Sequence, residues 1–153
     1  MVLAAKIVAA FLLSGAIGIL YRVPRSVVFY SSLNGTISWL ILYSLIENGV
    51  NVITASFCGS LAVGIIAETL ARLLRKPSTV FIIPGFIPLV PGREAYTTMR
   101  YMVEGWQLEA LSMGVQTLLM AGAIAFGIII SISGYRLAAS FKFRNETGNV
   151  DEN

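Results

Sequence analysis

The run Phe81-Ile82-Ile83-Pro84-Gly85-Phe86-Ile87-Pro88-Leu89-Val90-Pro91-Gly92 sets three prolines and two glycines between segments apolar enough to cross a bilayer. Each proline removes a backbone donor and crowds the carbonyl four residues earlier. Each also pushes its predecessor (Ile83, Ile87 or Val90) away from helical angles. In hydrocarbon, broken backbone persists only where other helices bury it or where it lines a watery cavity. In transporters such breaks hold substrate and coupling ions. A single proline is consistent with a kinked structural helix. Three within eight residues favour a functional broken helix.

Composition supports a membrane setting. Of 153 residues, 56% are hydrophobic, 12% are charged and none is histidine. About a quarter of an ordinary soluble domain is charged, so this balance predicts an all-α, multi-spanning membrane protein. The net charge of +3 is no argument for nucleic acid, because the basic residues flank apolar segments. Cys58 stands alone, so no disulfide framework or cysteine metal site forms within the chain. It is expected to be a buried small hydrophobe. Lys6 before an apolar run resembles a signal peptide, but one lysine is a weak basic region and further spans follow at once. The amino terminus is therefore expected to remain as a first helix.

A spanning helix needs about 20 mainly apolar residues. Candidates run from Leu3 to Tyr21, from Ser26 to Ile46 and from Val50 to Leu73. A fourth, the broken segment, runs from Ser78 to Pro91, and a fifth from Leu108 to Tyr135. The fourth would reach only about 20 Å as a helix, short of a hydrocarbon core of about 30 Å. Residues 1–140 form the expected membrane domain of five segments, and 141–153 a polar tail expected to be disordered. One side of this arrangement holds Arg22, Arg25, Arg72, Arg75, Lys76, Arg136, Lys142 and Arg144, eight of the eleven Lys and Arg. The positive-inside rule then predicts a cytoplasmic carboxyl terminus. A re-entrant fourth segment would change the count and move the tail to the other side.

Small residues recur at four-residue spacing: Ala10, Ser14 and Gly18; Ser56, Ser60 and Gly64; Ala123, Gly127 and Ser131. Such stripes let helix backbones approach closely where lipid supplies no hydrophobic drive between them. Internal packing is the preferred reading, with some faces expected to meet another subunit. Asn34, Thr36, Asn51, Thr54, Gln116 and Thr117 are polar groups inside the spans, and each is expected to bond neighbouring helices. Glu68 precedes Arg72 by one turn. It is either an interfacial ion-pair partner or a protonatable carboxylate in a coupling route. After the break, a helix starting at Pro91 and running through Tyr96, Met99, Val103 and Trp106 would present free N–H groups near Gly92, beside Arg93. Helix starts favour anions, and a substrate carboxylate is a natural partner. The bland alternative is that Arg93 and Glu94 solvate an interfacial helix start. No nucleophile–base set, phosphate-cradling loop or metal-ligand cluster is present, so no enzyme, cofactor or metal is expected.

Three features carry a family resemblance. Val23-Pro24-Arg25 follows the first span and leads to Gly35 in the second. Ile87-Pro88-Leu89-Val90-Pro91-Gly92 continues to Ala95-Tyr96. The order and spacing of apolar segments agree from residue 8 to residue 136. In these the chain resembles the threonine/serine exporter (ThrE-like) family, specifically its small membrane subunit or carboxyl-terminal membrane domain. The resemblance implies export of threonine and serine or, in some members, of small dicarboxylates such as succinate. It implies a bacterial inner-membrane location and a larger membrane subunit as partner, since the amino-terminal domain of fused members is not in this sequence. The expected role is the small subunit of a two-component secondary exporter. The alternative is a scaffold that stabilises its larger partner without transporting, and association with further copies is also open. The expected substrate site is Pro84, Gly85, Pro88, Pro91, Gly92, Arg93 and Tyr96, with Glu68 as the residue for proton coupling.

Overall fold

A computed structural model describes residues 2–148, which form six α-helices and no strand among them. Helix α1 is Val2–Leu20, and the chain turns at Arg22, whose φ is 55°. Pro24 precedes α2, Arg25–Glu47, where its fixed φ costs no helical hydrogen bond. Gly49, at φ 80°, reverses the chain. The Asn51 side chain then caps α3, Val52–Leu74, by accepting from the Ile53 N–H at 2.9 Å. Arg75 closes α3 in the left-handed region, its N–H bonded to the Ala71 carbonyl.

The proline run folds as α4, Thr79–Phe86, then a 3-10 turn, Ile87–Leu89, then Val90 at ψ 130° and Pro91. Helix α5, Gly92–Val103, follows, and α6 is Gln107–Gly148. The helix expected to reach Trp106 stops at Val103. Gly105 takes a φ of 82°, which ends α5 and starts α6. Trp106 instead stacks on Tyr101, with ring centroids 5.6 Å apart. The 42 residues of α6 would span about 63 Å, twice a hydrocarbon core of about 30 Å. Residues 149–153, the end of the expected polar tail, lie outside the described residues.

Among the described residues, three stretches are long and apolar enough to cross a membrane: Leu3–Leu20, Val52–Leu74 and Gln107–Tyr135. Helix α2 is as long as α3, but Ser31, Ser32, Asn34, Thr36 and Ser38 lower its apolar content. Those five residues are all buried. Helix α2 is therefore an inner helix, packed against α1, α3 and α4 with its polar side inward. Thr79–Leu89 is apolar but short.

All three small-residue stripes meet helices of the same chain. Ser14 and Gly18 on α1 face Gly35 and Ser31 on α2. The stripes of α3 and α6 interlock reciprocally: a Cβ at Gly64 would overlap the Ser131 hydroxyl, and one at Gly127 would overlap the Ser60 hydroxyl. Internal packing accounts for these faces, and the expectation that some meet another subunit does not hold for the surfaces just named. Val63, Ala67, Phe81, Ile82, Leu89 and Ile124 fill the apolar core between α3, α4 and α6. Cys58 is half-buried on α3. Cation–π contacts join helices in pairs, Lys6 over Tyr43 at 4.6 Å and Arg72 over Tyr135 at 4.7 Å. Helix α5 packs chiefly on α6 and leaves Tyr96, Met99 and Val103 exposed.

Candidate functional site

The proline run creates carbonyls that a regular helix would not leave. Pro84 lies inside α4, so the Val80 carbonyl has no N–H four residues ahead. Pro88 deprives the Pro84 carbonyl in the same way. Buried backbone acceptors need partners, and α2 brings polar side chains to this stretch, where they bond the neighbouring Phe81 carbonyl and not the two that lost their donors. Asn34, fully buried, donates through Nδ2 to the Phe81 carbonyl at 3.1 Å and to the Val63 carbonyl at 3.3 Å. The Ser38 hydroxyl donates to Asn34 Oδ1 at 3.5 Å. One side chain thus ties α2, α3 and α4 together at the proline run. Interhelical bonds of this kind contribute about 0.6 kcal/mol on average in a membrane protein and at most about 1.7. Gly85 makes the approach feasible, since a Cβ there would stand 2.6 Å from Asn34 Nδ2.

A second polar layer lies between α1, α2 and α4. The Ser31 and Ser32 hydroxyls both donate to the Val28 carbonyl at 2.9 Å, and Thr36 donates to the Ser32 carbonyl at 2.8 Å. Ser14 differs. It is 0% exposed, and its hydroxyl makes no hydrogen bond. A Cβ built on Gly35 would overlap that hydroxyl and lie 3.2 Å from the Pro84 carbonyl oxygen. The two oxygens therefore converge over Gly35.

The remaining expected site residues lie elsewhere. Pro88 is half-buried and Pro91 buried. Pro91, with Phe86 and Val90, faces Ala121, Ile124 and Ile128 across a cavity of about 280 Å³. Its walls are hydrocarbon, unsuited to a carboxylate. Gly92, Arg93 and Tyr96 are exposed on α5, Tyr96 at 71%. Further along α5, Arg100 pairs with Glu104 at 2.7 Å, and that hydrogen bond raises the Arg100 pKa above its ordinary value. Glu68 is buried on α3, and the Arg72 guanidinium one turn later lies over the Tyr135 ring.

The residues expected to form one site thus divide into a buried part, Pro84 and Gly85, an apolar wall at Pro91, and an exposed helix start from Gly92 to Tyr96. Ser14 and Asn34 are the polar residues that the fold adds to the buried part. Asn34 carries a sequence signal, an amide followed by glycine in a charge-free run. Ser14 carries only its place in a small-residue stripe, a pattern that ordinary packing also produces.

No solved structure matches the chain. The family described as Threonine/Serine exporter, ThrE, matches residues 6–133. The match takes in α2, α3, the proline run and α5 whole, together with most of α1 and the start of α6 through the stripe that ends at Ser131. It therefore covers both polar layers and the interlocked α3–α6 face. The chain belongs to the threonine/serine exporter family, a family of membrane transport proteins.

Proposed function

We propose that the chain is the small subunit of a two-component secondary exporter in the bacterial inner membrane. It moves small carboxylate metabolites by alternating access: threonine- and serine-like amino acids, or small dicarboxylates such as succinate. The observation that carries this reading is the hold of Asn34 on the proline-interrupted α4, a polar junction buried among three helices in a member of an exporter family. Interrupted helices place unsatisfied backbone at the substrate in other transporters. The exposed start of α5, at Gly92 and Arg93 with Tyr96 one turn on, attracts the carboxylate at the mouth. Pro84, Gly85, Pro88 and Pro91 form the interrupted path beyond it. Glu68, buried on a membrane-length helix, is the candidate proton carrier, since intramembrane acids commonly mark ion routes.

In this proposal α2 and the α4 segment cross as the second and fourth of five spans. The carboxyl-terminal end of α6 and the polar tail are cytoplasmic. A larger membrane subunit of the same family completes the transporter, and further copies of this chain join through surfaces outside the interlocked stripes.

Co-reconstitution with the larger subunit tests the function. Vesicles preloaded with threonine, serine or succinate are expected to release at least one cargo faster than vesicles holding either subunit alone. Equal leakage from all three preparations refutes the exporter reading. Topology has its own test in a Cys58→Ser background. A cysteine at Lys76 is expected to resist an external membrane-impermeant thiol reagent, and one at Asn48 to react. The reverse pattern overturns the orientation drawn from the basic residues.

A further inference from the structure

We propose that the Ser14 hydroxyl and the Pro84 carbonyl form the seat for the α-ammonium group of an amino-acid cargo, an inference that rests on the exporter reading above. Ser14 is 0% exposed and its oxygen makes no hydrogen bond, although leaving a buried hydroxyl unsatisfied is costly. The neighbouring hydroxyls of Ser31 and Ser32 avoid that cost by bonding the Val28 carbonyl of their own helix. Ser14 instead points at Gly35, where the Pro84 carbonyl also arrives. That carbonyl lacks its α-helical donor because residue 88 is proline. Gly35 keeps the meeting point open to both, as any Cβ there would overlap the Ser14 hydroxyl.

The chemistry of this point selects its ligand. It offers oxygen lone pairs, so the ligand must bring hydrogen-bond donors, and an ammonium group brings three where a hydroxyl brings one. A carboxylate would face the negative end of the Pro84 carbonyl and is rejected. Helices α1, α2 and α4 offer a bare inorganic cation no counter-charge. Helix α1 after Lys6, α2 between Arg25 and Glu47, and all of α4 carry no charged side chain. Burying an uncompensated charge is costly. An amino acid avoids this because its own carboxylate travels with the ammonium. In the present conformation α1, α2 and α4 pack the seat shut, so loading requires α1 and α2 to part from α4.

The test compares L-serine with glycerate, in which a hydroxyl replaces the α-ammonium and the rest of the molecule is kept. Equilibrium binding is measured on the full chain assembled with the larger subunit, as wild type, Ser14→Ala and Ser14→Cys. Cysteine keeps the packing volume but is a poor hydrogen-bond acceptor. Wild type is expected to bind serine more tightly than glycerate. Both variants are expected to weaken serine by about tenfold or more, the usual effect of losing a hydrogen bond to a charged group. Glycerate, whose hydroxyl makes only a neutral hydrogen bond there, should weaken clearly less than serine. Equal weakening of both ligands assigns Ser14 to packing or to an internal water and overturns the seat. Unchanged serine affinity in both variants overturns it as well, and leaves the exporter reading standing. A wild-type complex that exports succinate but binds no serine also removes the seat alone. A complex that neither binds nor exports any of these cargoes removes the exporter reading together with the seat.

Discussion

Replacing Gly127 with leucine is expected to separate α6 from α3 and leave almost no folded protein in detergent. Even a single carbon at Gly127 overlaps the Ser60 hydroxyl and comes within 2.9 Å of the Phe57 carbonyl oxygen. The hydroxyl can rotate, but the carbonyl belongs to the α3 backbone and cannot swing aside. One turn along, Ser131 sits against Gly64 in the same interlock, so sliding the helices relieves one clash by creating another. Overpacking alone costs about 1–3 kcal/mol. Here it also opens the apolar core that Ile124 shares with Val63 and Phe81. Size-exclusion recovery and the thermal midpoint of the purified chain measure the effect. Gly122→Leu, on the same helix, is the control, because nothing lies within 4 Å of a Cβ built there. It is expected to keep wild-type recovery. Equal losses from both substitutions would show that bulk on α6, and not the Ser60–Gly127 contact, is what the chain fails to tolerate.

Pro88→Ala combined with Pro91→Ala is expected to reduce export per assembled complex by about tenfold or more, with expression reduced far less. Alanine at residue 88 supplies an N–H that can bond the Pro84 carbonyl, the oxygen that faces Ser14 across Gly35. Alanine at residue 91 removes the ring that forces Val90 away from helical angles. The 3-10 turn and extended Val90 can then merge into one helix from α4 toward α5. A continuous helix satisfies its own backbone and no longer offers it to a substrate. A purely structural break predicts another result: a small change in stability and unchanged efflux. The measurement is release of preloaded threonine, serine and succinate from vesicles, normalised to assembled complex. Full release of every cargo that wild type exports would eliminate the proline run as the substrate path.

Much of this fold is legible in the chain because membrane helices announce themselves one at a time. Apolar length marks α1, α3 and α6. Pro24 marks a boundary, and three prolines forbid a regular helix over residues 84–91, whereas the Asn51 cap and the turns at Gly49 and Gly105 were not read from the chain. Each of these signals acts through backbone sterics or solvation within a few residues of its source. The small-residue stripes likewise name the faces that approach closely.

A stripe carries no record of its partner, however. Ser60 could have met another subunit, and its seat on Gly127 depends on contacts between residues far apart in the chain. The polar side of α2 is a similar case. Composition puts several polar residues in that helix, and only packing turns Asn34 inward to hold Phe81 and Val63. The expected site divided for the same reason. Adjacent residues share a segment but not an environment: Pro84 and Gly85 are enclosed by α1, α2 and α3, whereas Gly92, Arg93 and Tyr96 leave on a helix that packs chiefly on α6. The sequence by itself determined the helices, their breaks and the faces that approach closely, because those follow from local sterics and hydropathy. Only the tertiary structure decided which faces meet and which broken carbonyl lies beside the Ser14 hydroxyl, because side-chain partnership is set by long-range packing.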